Sequence, residues 1–106
     1  MKEIMNGSQL LQTLEALSNP YRLKIIAILH AERQYVSQLS RELGISRPLL
    51  YLHLQKLEEA GLINGYHEVS DTGKSMKYYE LEPFDLQLTG EVIEKHRDSL
   101  PAKRKE

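Results

Sequence analysis

Residues 37–62 read SQLSRELGISRPLLYLHLQKLEEAGL, and each joint in the stretch carries a local physical signature. Ser37 has the side chain to cap a first helix, expected over 37–43, and Leu39 and Leu43 stand four apart on its buried face. Gly44 supplies the left-handed residue that stops that helix, and Ile45 points back as an apolar pin. Ser46 caps a second helix, expected over 46–60. Pro48 falls in its first turn, where a missing N–H costs little. Leu50, Leu54 and Leu57 then form one apolar stripe, and Ala60-Gly61-Leu62 is a second glycine stop. Two short helices joined by a glycine turn are a helix-turn-helix.

Upstream, Asn6 or Ser8 caps a helix expected over 8–17, with Leu10, Leu11, Leu14 and Leu17 as its stripe. Asn19-Pro20 opens another over 20–31, with Asn as cap and Pro at the first helical position. Leu23, Ile25, Ile26, Ile28 and Leu29 leave that helix almost no polar face, which makes it the expected centre of the core. Gln34 to Val36 is long enough only for a bridge of strand.

Downstream of Gly61 the period changes. Leu62 to Val69 and Met76 to Leu81 are rich in tyrosine and branched residues, and residues 70–75 between them form a polar turn. The pattern predicts a β-hairpin over 62–82 with Lys74 and Lys77 near its tip. Pro83 breaks the second strand, and Phe84, Leu86 and Leu88 alternate like one further short strand. Thr89 is the expected cap of a last helix over 89–99, with Val92 and Ile93 as its apolar contacts, and residues 100–106 are a tail expected to fray. The fold class is therefore α+β, mainly α: a winged helix-turn-helix plus a terminal helix, read as a single domain over 1–106.

Composition narrows the function. A chain of 106 residues with 41% apolar content can close one small core. The run from Ile25 to Leu29 is far too short to span a membrane, and no signal-peptide pattern opens the sequence. The absence of cysteine excludes disulfides and thiolate metal sites, so a cytoplasmic protein is expected. Formal charge is −1, so any affinity for nucleic acid must come from local clustering. Between residues 18 and 60, Arg22, Lys24, Arg33, Arg41, Arg47 and Lys56 stand against Glu32, Glu42, Glu58 and Glu59. That modest excess implies salt-sensitive binding unless two copies act together. No glycine-rich phosphate loop, H-E-x-x-H or nucleophile elbow is present, so no enzyme and no cofactor is expected.

The segments Ala16-Leu17-Ser18-Asn19-Pro20-Tyr21-Arg22-Leu23 and His53-Leu54-x-x-Leu57-x-x-Ala60-Gly61-Leu62, followed by Gly73-Lys74-x-x-Lys77-Tyr78-Tyr79-Glu80-Leu81, resemble the ArsR family of transcriptional regulators, particularly its archaeal-type members. The likeness covers roughly residues 9 to 82. It implies a homodimer formed through the first and last helices, here Leu10, Leu14 and Leu17 with Val92 and Ile93. It also implies a wing that grips the DNA backbone. The family's metal-responsive members carry Cys-x-Cys where this chain has Val36, Ser37, Gln38 and Leu39. On the last helix only Glu91, Glu94 and His96 are available, and Glu94 and His96 do not share a helix face. No metal site is expected. His53 occupies a motif position and is read as a structural hydrogen-bonding residue.

On a helical wheel, Pro48, Leu52, Gln55 and Glu59 face away from the core, flanked by Leu49, Tyr51 and Lys56. In a recognition helix this face enters the major groove of double-stranded DNA. Gln55 suits adenine, Arg47 suits guanine or a phosphate, and the apolar Leu49, Tyr51 and Leu52 suit thymine methyls. The expected DNA-binding residues are thus Ser46, Arg47, Pro48, Leu49, Tyr51, Leu52, Gln55 and Lys56 on the helix, with Lys74 and Lys77 on the wing; Lys24 and Arg41 are further phosphate candidates. The function expected is a dimeric, sequence-specific regulator on a near-palindromic site, not responsive to metal and with no small-molecule effector identifiable. The alternative is a winged-helix module whose Leu49, Tyr51 and Leu52 face binds a protein of the transcription or replication machinery; a purely structural alternative has Leu49 and Leu52 packing beneath the wing.

Overall fold

The computed structural model describes residues 3–102, so Met1, Lys2 and the 103–106 portion of the expected fraying tail lie outside the described residues. Helix α1 spans Gly7–Leu17 and α2 Pro20–Ala31; β1 is Gln34–Tyr35, α3 Val36–Leu43, α4 Arg47–Glu59, β2 Ile63–Val69, β3 Ser75–Leu81 and α5 Gly90–Lys95, followed by a 3₁₀ turn at Arg97–Ser99. Helices with a small three-stranded sheet give the winged helix-turn-helix architecture.

The two helices of the central unit end in the same way. Gly44 (φ 67°) and Gly61 (φ 73°) adopt the left-handed conformation, which costs a side-chain-bearing residue. At each stop the next amide reaches back five residues, Ile45 N–H to the Ser40 carbonyl at 3.2 Å and Leu62 N–H to that of Leu57 at 3.0 Å. Orphan carbonyls are satisfied, and the chain reverses with an apolar residue folded inward. Leu57 and Leu62 are both fully buried. Ser46 accepts a hydrogen bond from Leu49 N–H and Asn19 accepts from Tyr21 and Arg22, as their positions predict.

One start differs. α3 begins at Val36 rather than after Ser37, with Tyr35 as the preceding residue and the Gln38 side chain accepting from Tyr35 N–H at 3.1 Å. The cause is β1: pairing of Gln34 with Tyr79 and Tyr35 with Tyr78 carries the chain from the sheet straight into the helix. Ser37 lies inside the helix, past the capping position.

The core gathers Leu50, Leu54 and Leu57 of α4 with Ile25 and Leu29 of α2, Val36 and Leu39 of α3, and Leu62, Ile63 and Tyr79 of the sheet. Fully burying one such aliphatic side chain contributes about 1.5–3 kcal/mol. α2 is less central than its composition suggests, since Ile26 and Ile28 are only partly buried and Leu23 is exposed.

The sheet order is β1-β3-β2, all antiparallel. Glu82 N–H to the Leu62 carbonyl closes the hairpin base, and Ser70 with Lys74 closes its turn. The 84–88 segment does not continue as a strand. Only Phe84 makes an isolated bridge, because β3 already has a neighbour on both sides and Pro83 directs the chain away. The last helix is also shorter than expected: Thr89 caps it as predicted, but α5 stops at Lys95 and continues as the 3₁₀ turn. That turn docks on α1, with Gly7 N–H donating to Ser99 Oγ at 2.6 Å.

Candidate nucleic-acid interface

α4 presents two unlike faces. Its inner face is Leu50, Leu54 and Leu57, with His53 beside them. Its outer face holds Arg47, Pro48, Leu49, Tyr51, Leu52, Gln55, Lys56 and Glu59, all exposed. Leu52 is 61% exposed and Leu49 40%, so neither is buried beneath the wing; Tyr51 is 46% exposed and lies near Tyr79 of β3. Gln55 donates its side-chain amide to Glu59 at 3.1 Å, one turn on. Glu58 and Glu59 give the C-terminal end of the helix negative charge, whereas Arg47 opens its N-terminal end. The N-terminal half is therefore the end suited to a phosphate-lined groove.

His53 is the polar member of the inner face. Arg22 donates from Nη1 to His53 Nδ1 at 3.1 Å, and from Nε and Nη2 to the carbonyls of Ala16 and Glu15 at 2.6 and 3.2 Å. A guanidinium has no acceptor, so Nδ1 must carry the lone pair and the ring must be neutral. Burial, and then the Arg22 charge, hold the imidazole below its ordinary range. Arg22 thereby ties the end of α1 to the middle of α4. The structural role expected of His53 is what the geometry shows, and the arginine of the Asn-Pro-Tyr-Arg segment is its partner.

On the wing, Lys74 sits exposed in the turn, as expected. Lys77 stands farther from the tip, opposite His67, and is half-buried with Nζ 5.6 Å from the centre of the Tyr79 ring. Lys77 and Tyr79 share a sheet face, and Tyr79 is pushed up to about 12 by burial and then by the nearby Glu58 carboxylate. Of the other phosphate candidates, Arg41 is exposed on α3, and Lys24 is exposed with its ammonium 5.8 Å from the Tyr21 ring centre.

The opposite sheet face holds a cluster that sequence reasoning missed. Arg33 donates to both carboxylate oxygens of Glu68, at 2.6 and 3.1 Å, and to the Tyr66 hydroxyl at 2.8 Å. Its guanidinium lies 4.1 Å from the centre of the Tyr78 ring, which meets Tyr35 edge-on and stacks with Tyr66. Hydrogen bonding to Arg33 holds the Glu68 carboxyl below the usual carboxylate range. Arg33 is thus engaged in bracing the wing against the linker between α2 and β1, rather than available to a phosphate. The signal was the register that aligns Tyr35, Tyr66 and Tyr78, which no single segment reveals.

The residues expected at a dimer interface fall around one groove. Leu10, Leu14 and Leu17 of α1, Leu86 and Leu88 of the irregular segment and Val92 of α5 line a cleft of about 1140 Å³. Leu10 is already buried within the chain, whereas Ile93 is exposed beside the groove at 44%. In the stretch aligned with the family's cysteine pair, Val36 and Leu39 are buried in the core, and Ser37 and Gln38 are half-buried. Among the described residues, no group of three or more His, Asp or Glu side chains comes together as a metal site, and no helix is long and apolar enough to cross a membrane.

A helix-turn-helix domain model matches residues 17–66, from the end of α1 into the wing. An uncharacterized HTH-type transcriptional regulator of Methanocaldococcus jannaschii is 38% identical over 81 residues, covering 76% of this chain and 84% of that protein. Among solved structures, the winged helix-turn-helix DNA-binding domain of a possible ArsR-family regulator from Mycobacterium bovis, described as homodimeric, superposes with a TM-score of 0.61 at 26% identity, over 70% of this chain and 64% of that one. This chain belongs to the ArsR family of transcriptional regulators. HlyU from Vibrio cholerae matches over more of the fold, with a TM-score of 0.63 and 26% identity across 90% of this chain and 91% of that one. The DNA-binding domain of this regulator is the winged helix-turn-helix, and α4 with the wing is its candidate contact surface.

Proposed function

We propose that this ArsR-family regulator acts as a homodimer on a near-palindromic DNA site and does not respond to metal. The observation that carries the reading is the exposed N-terminal half of α4, opened by Arg47, with Lys56 exposed in the last turn and the wing following the helix. In a two-fold dimer the two α4 helices enter successive major grooves roughly 34–36 Å apart, and Lys74 at each wing turn meets the backbone. The apolar groove between α1 and α5 supports the dimer, and the homodimeric relative supports it independently. The residues where the metal-responsive members carry their cysteines, Val36, Ser37, Gln38 and Leu39, include no thiolate or imidazole, which supports a regulator without that sensor.

The test is fluorescence anisotropy with a fragment of the chain's own promoter and with random duplex, each at low and physiological salt. Tighter binding to the promoter fragment that survives physiological salt is the expected result. Weak binding to both that vanishes with salt would indicate a nonspecific DNA coat. The exposed Leu49, Tyr51 and Leu52 also favour one rival, a protein-docking module, and absence of duplex binding at low salt would select it.

A further inference from the structure

The outer face of α4 is unusual for a surface meant to read hydrogen-bonding base edges. Leu49, Tyr51 and Leu52 project from its N-terminal half, while the core is filled by Leu50, Leu54 and Leu57 on the other side. None of the three is required to close the fold. Leu52 is the most exposed and lies between the other two around the helix, with Leu49 on the Lys56 flank and Tyr51 on the flank of Glu58.

The hydrogen-bonding readers on this face are few. Gln55 donates one amide N–H to Glu59 and keeps its second N–H and its carbonyl oxygen, so the readers are Gln55 itself, Arg47 at the start of the helix and Lys56 in its last turn. Arg47 opens the face and Arg41 is exposed on the preceding helix α3, whereas Lys56 lies in the last turn of α4 beside the carboxylates Glu58 and Glu59. An apolar patch opened in this way, continuous with a helix-turn-helix, fits the floor of a major groove. The apolar group that floor offers is the 5-methyl of thymine.

We propose that Leu49, Tyr51 and Leu52 are specificity-determining residues that read thymine 5-methyl groups, so that each half-site is defined chiefly by where its thymines fall. The inference rests on the DNA-binding reading of α4 and adds the chemistry by which that helix chooses a sequence. Leu52 meets the central methyl, and Leu49 and Tyr51 meet those of neighbouring base pairs.

The experiment enriches preferred duplexes from a random-sequence pool with the intact chain and then replaces their thymines, one at a time, by deoxyuridine. Uracil keeps every hydrogen-bonding group of thymine and lacks only the methyl. Under α4, each replacement is expected to weaken binding about fourfold, the equivalent of about 0.8 kcal/mol for one buried carbon. Replacements elsewhere should leave affinity unchanged. The variant L49A/Y51A/L52A, altered only at exposed positions, should bind thymine and uracil duplexes alike. Equal affinity of the unaltered chain for the two duplexes, or the same uracil penalty in the variant, overturns the inference while leaving DNA binding intact. Failure to enrich any duplex at low salt overturns the DNA reading itself.

Discussion

The two faces of α4 are built from nearly the same residue types and meet opposite fates. Leu50, Leu54 and Leu57 are entirely buried, whereas Leu49 and Leu52, within two residues of them in sequence, are exposed. Side-chain hydrophobicity does not separate the two sets. Helical phase does: a step of about 100° per residue sends adjacent leucines to different sides. Which side becomes the core is then set by what packs against it, here α2, α3 and the base of the wing. An apolar residue on a regulator's exposed helix face is thus available for recognition because the fold has no further use for it.

The sharpest way to break this comparison is to truncate one leucine from each face. Leu54→Ala should lower unfolding free energy by about 2–5 kcal/mol, read by urea denaturation, because the cavity it leaves is closed on all sides. Leu52→Ala should stay within about 0.5 kcal/mol of the parent in the same titration. Equal losses at the two positions would contradict the assignment of the faces.

A second prediction concerns the polar member of the inner face. The native His53 imidazole has its pKa held below the ordinary 6.5, while the unfolded chain titrates near that value. The stability contributed by the neutral ring is fully present above about pH 6.5 and is lost as the pH falls through that value toward the lower native pKa, since the unfolded state then binds the extra proton. Urea midpoints measured between pH 7.5 and 5 should fall more steeply for the parent than for His53→Gln, whose amide oxygen accepts from Arg22 without titrating. Parallel slopes would remove His53 from the account.

Smaller still is the expected effect at the wing. Lys74→Ala with Lys77→Ala should leave stability nearly unchanged and flatten the dependence of log affinity on log salt, by about one unit for each phosphate deprived of its lysine. Exposed Lys74 is expected to supply most of the change, and half-buried Lys77 less. An unchanged slope would take the wing out of the interface. Arg33→Ala should change least: faster amide exchange across β2 with little shift in melting temperature, since its ion pair with Glu68 is exposed.

Local signals make much of this chain legible from sequence. Each helix cap at Asn19, Ser46 and Thr89, both glycine stops and the leucine stripe of α4 act within a few residues, so short windows contain all the physics involved. The misplaced start of α3, the expected strand at 84–88 and the overlong last helix share a different cause. In each, a distant segment decides: β3 recruits Gln34 and Tyr35, the filled neighbours of β3 refuse another strand, and Gly7 receives the turn at Ser99. A side chain at Gly7 would meet the His96 carbonyl at 2.7 Å, a constraint written in residues nearly ninety positions away.

The candidate interface divides along the same line. Sequence by itself determined helix α4, its outward residues and the wing turn, because helical and strand periods set which side chains share a face. Tertiary structure alone decided that Leu49, Tyr51 and Leu52 remain uncovered and that Lys77 lies back along its strand. It also decided that Arg33 is committed to Glu68 and the tyrosines, and that Arg22 reaches His53. Exposure and pairing depend on which surfaces the whole chain brings together, and no local window contains that information.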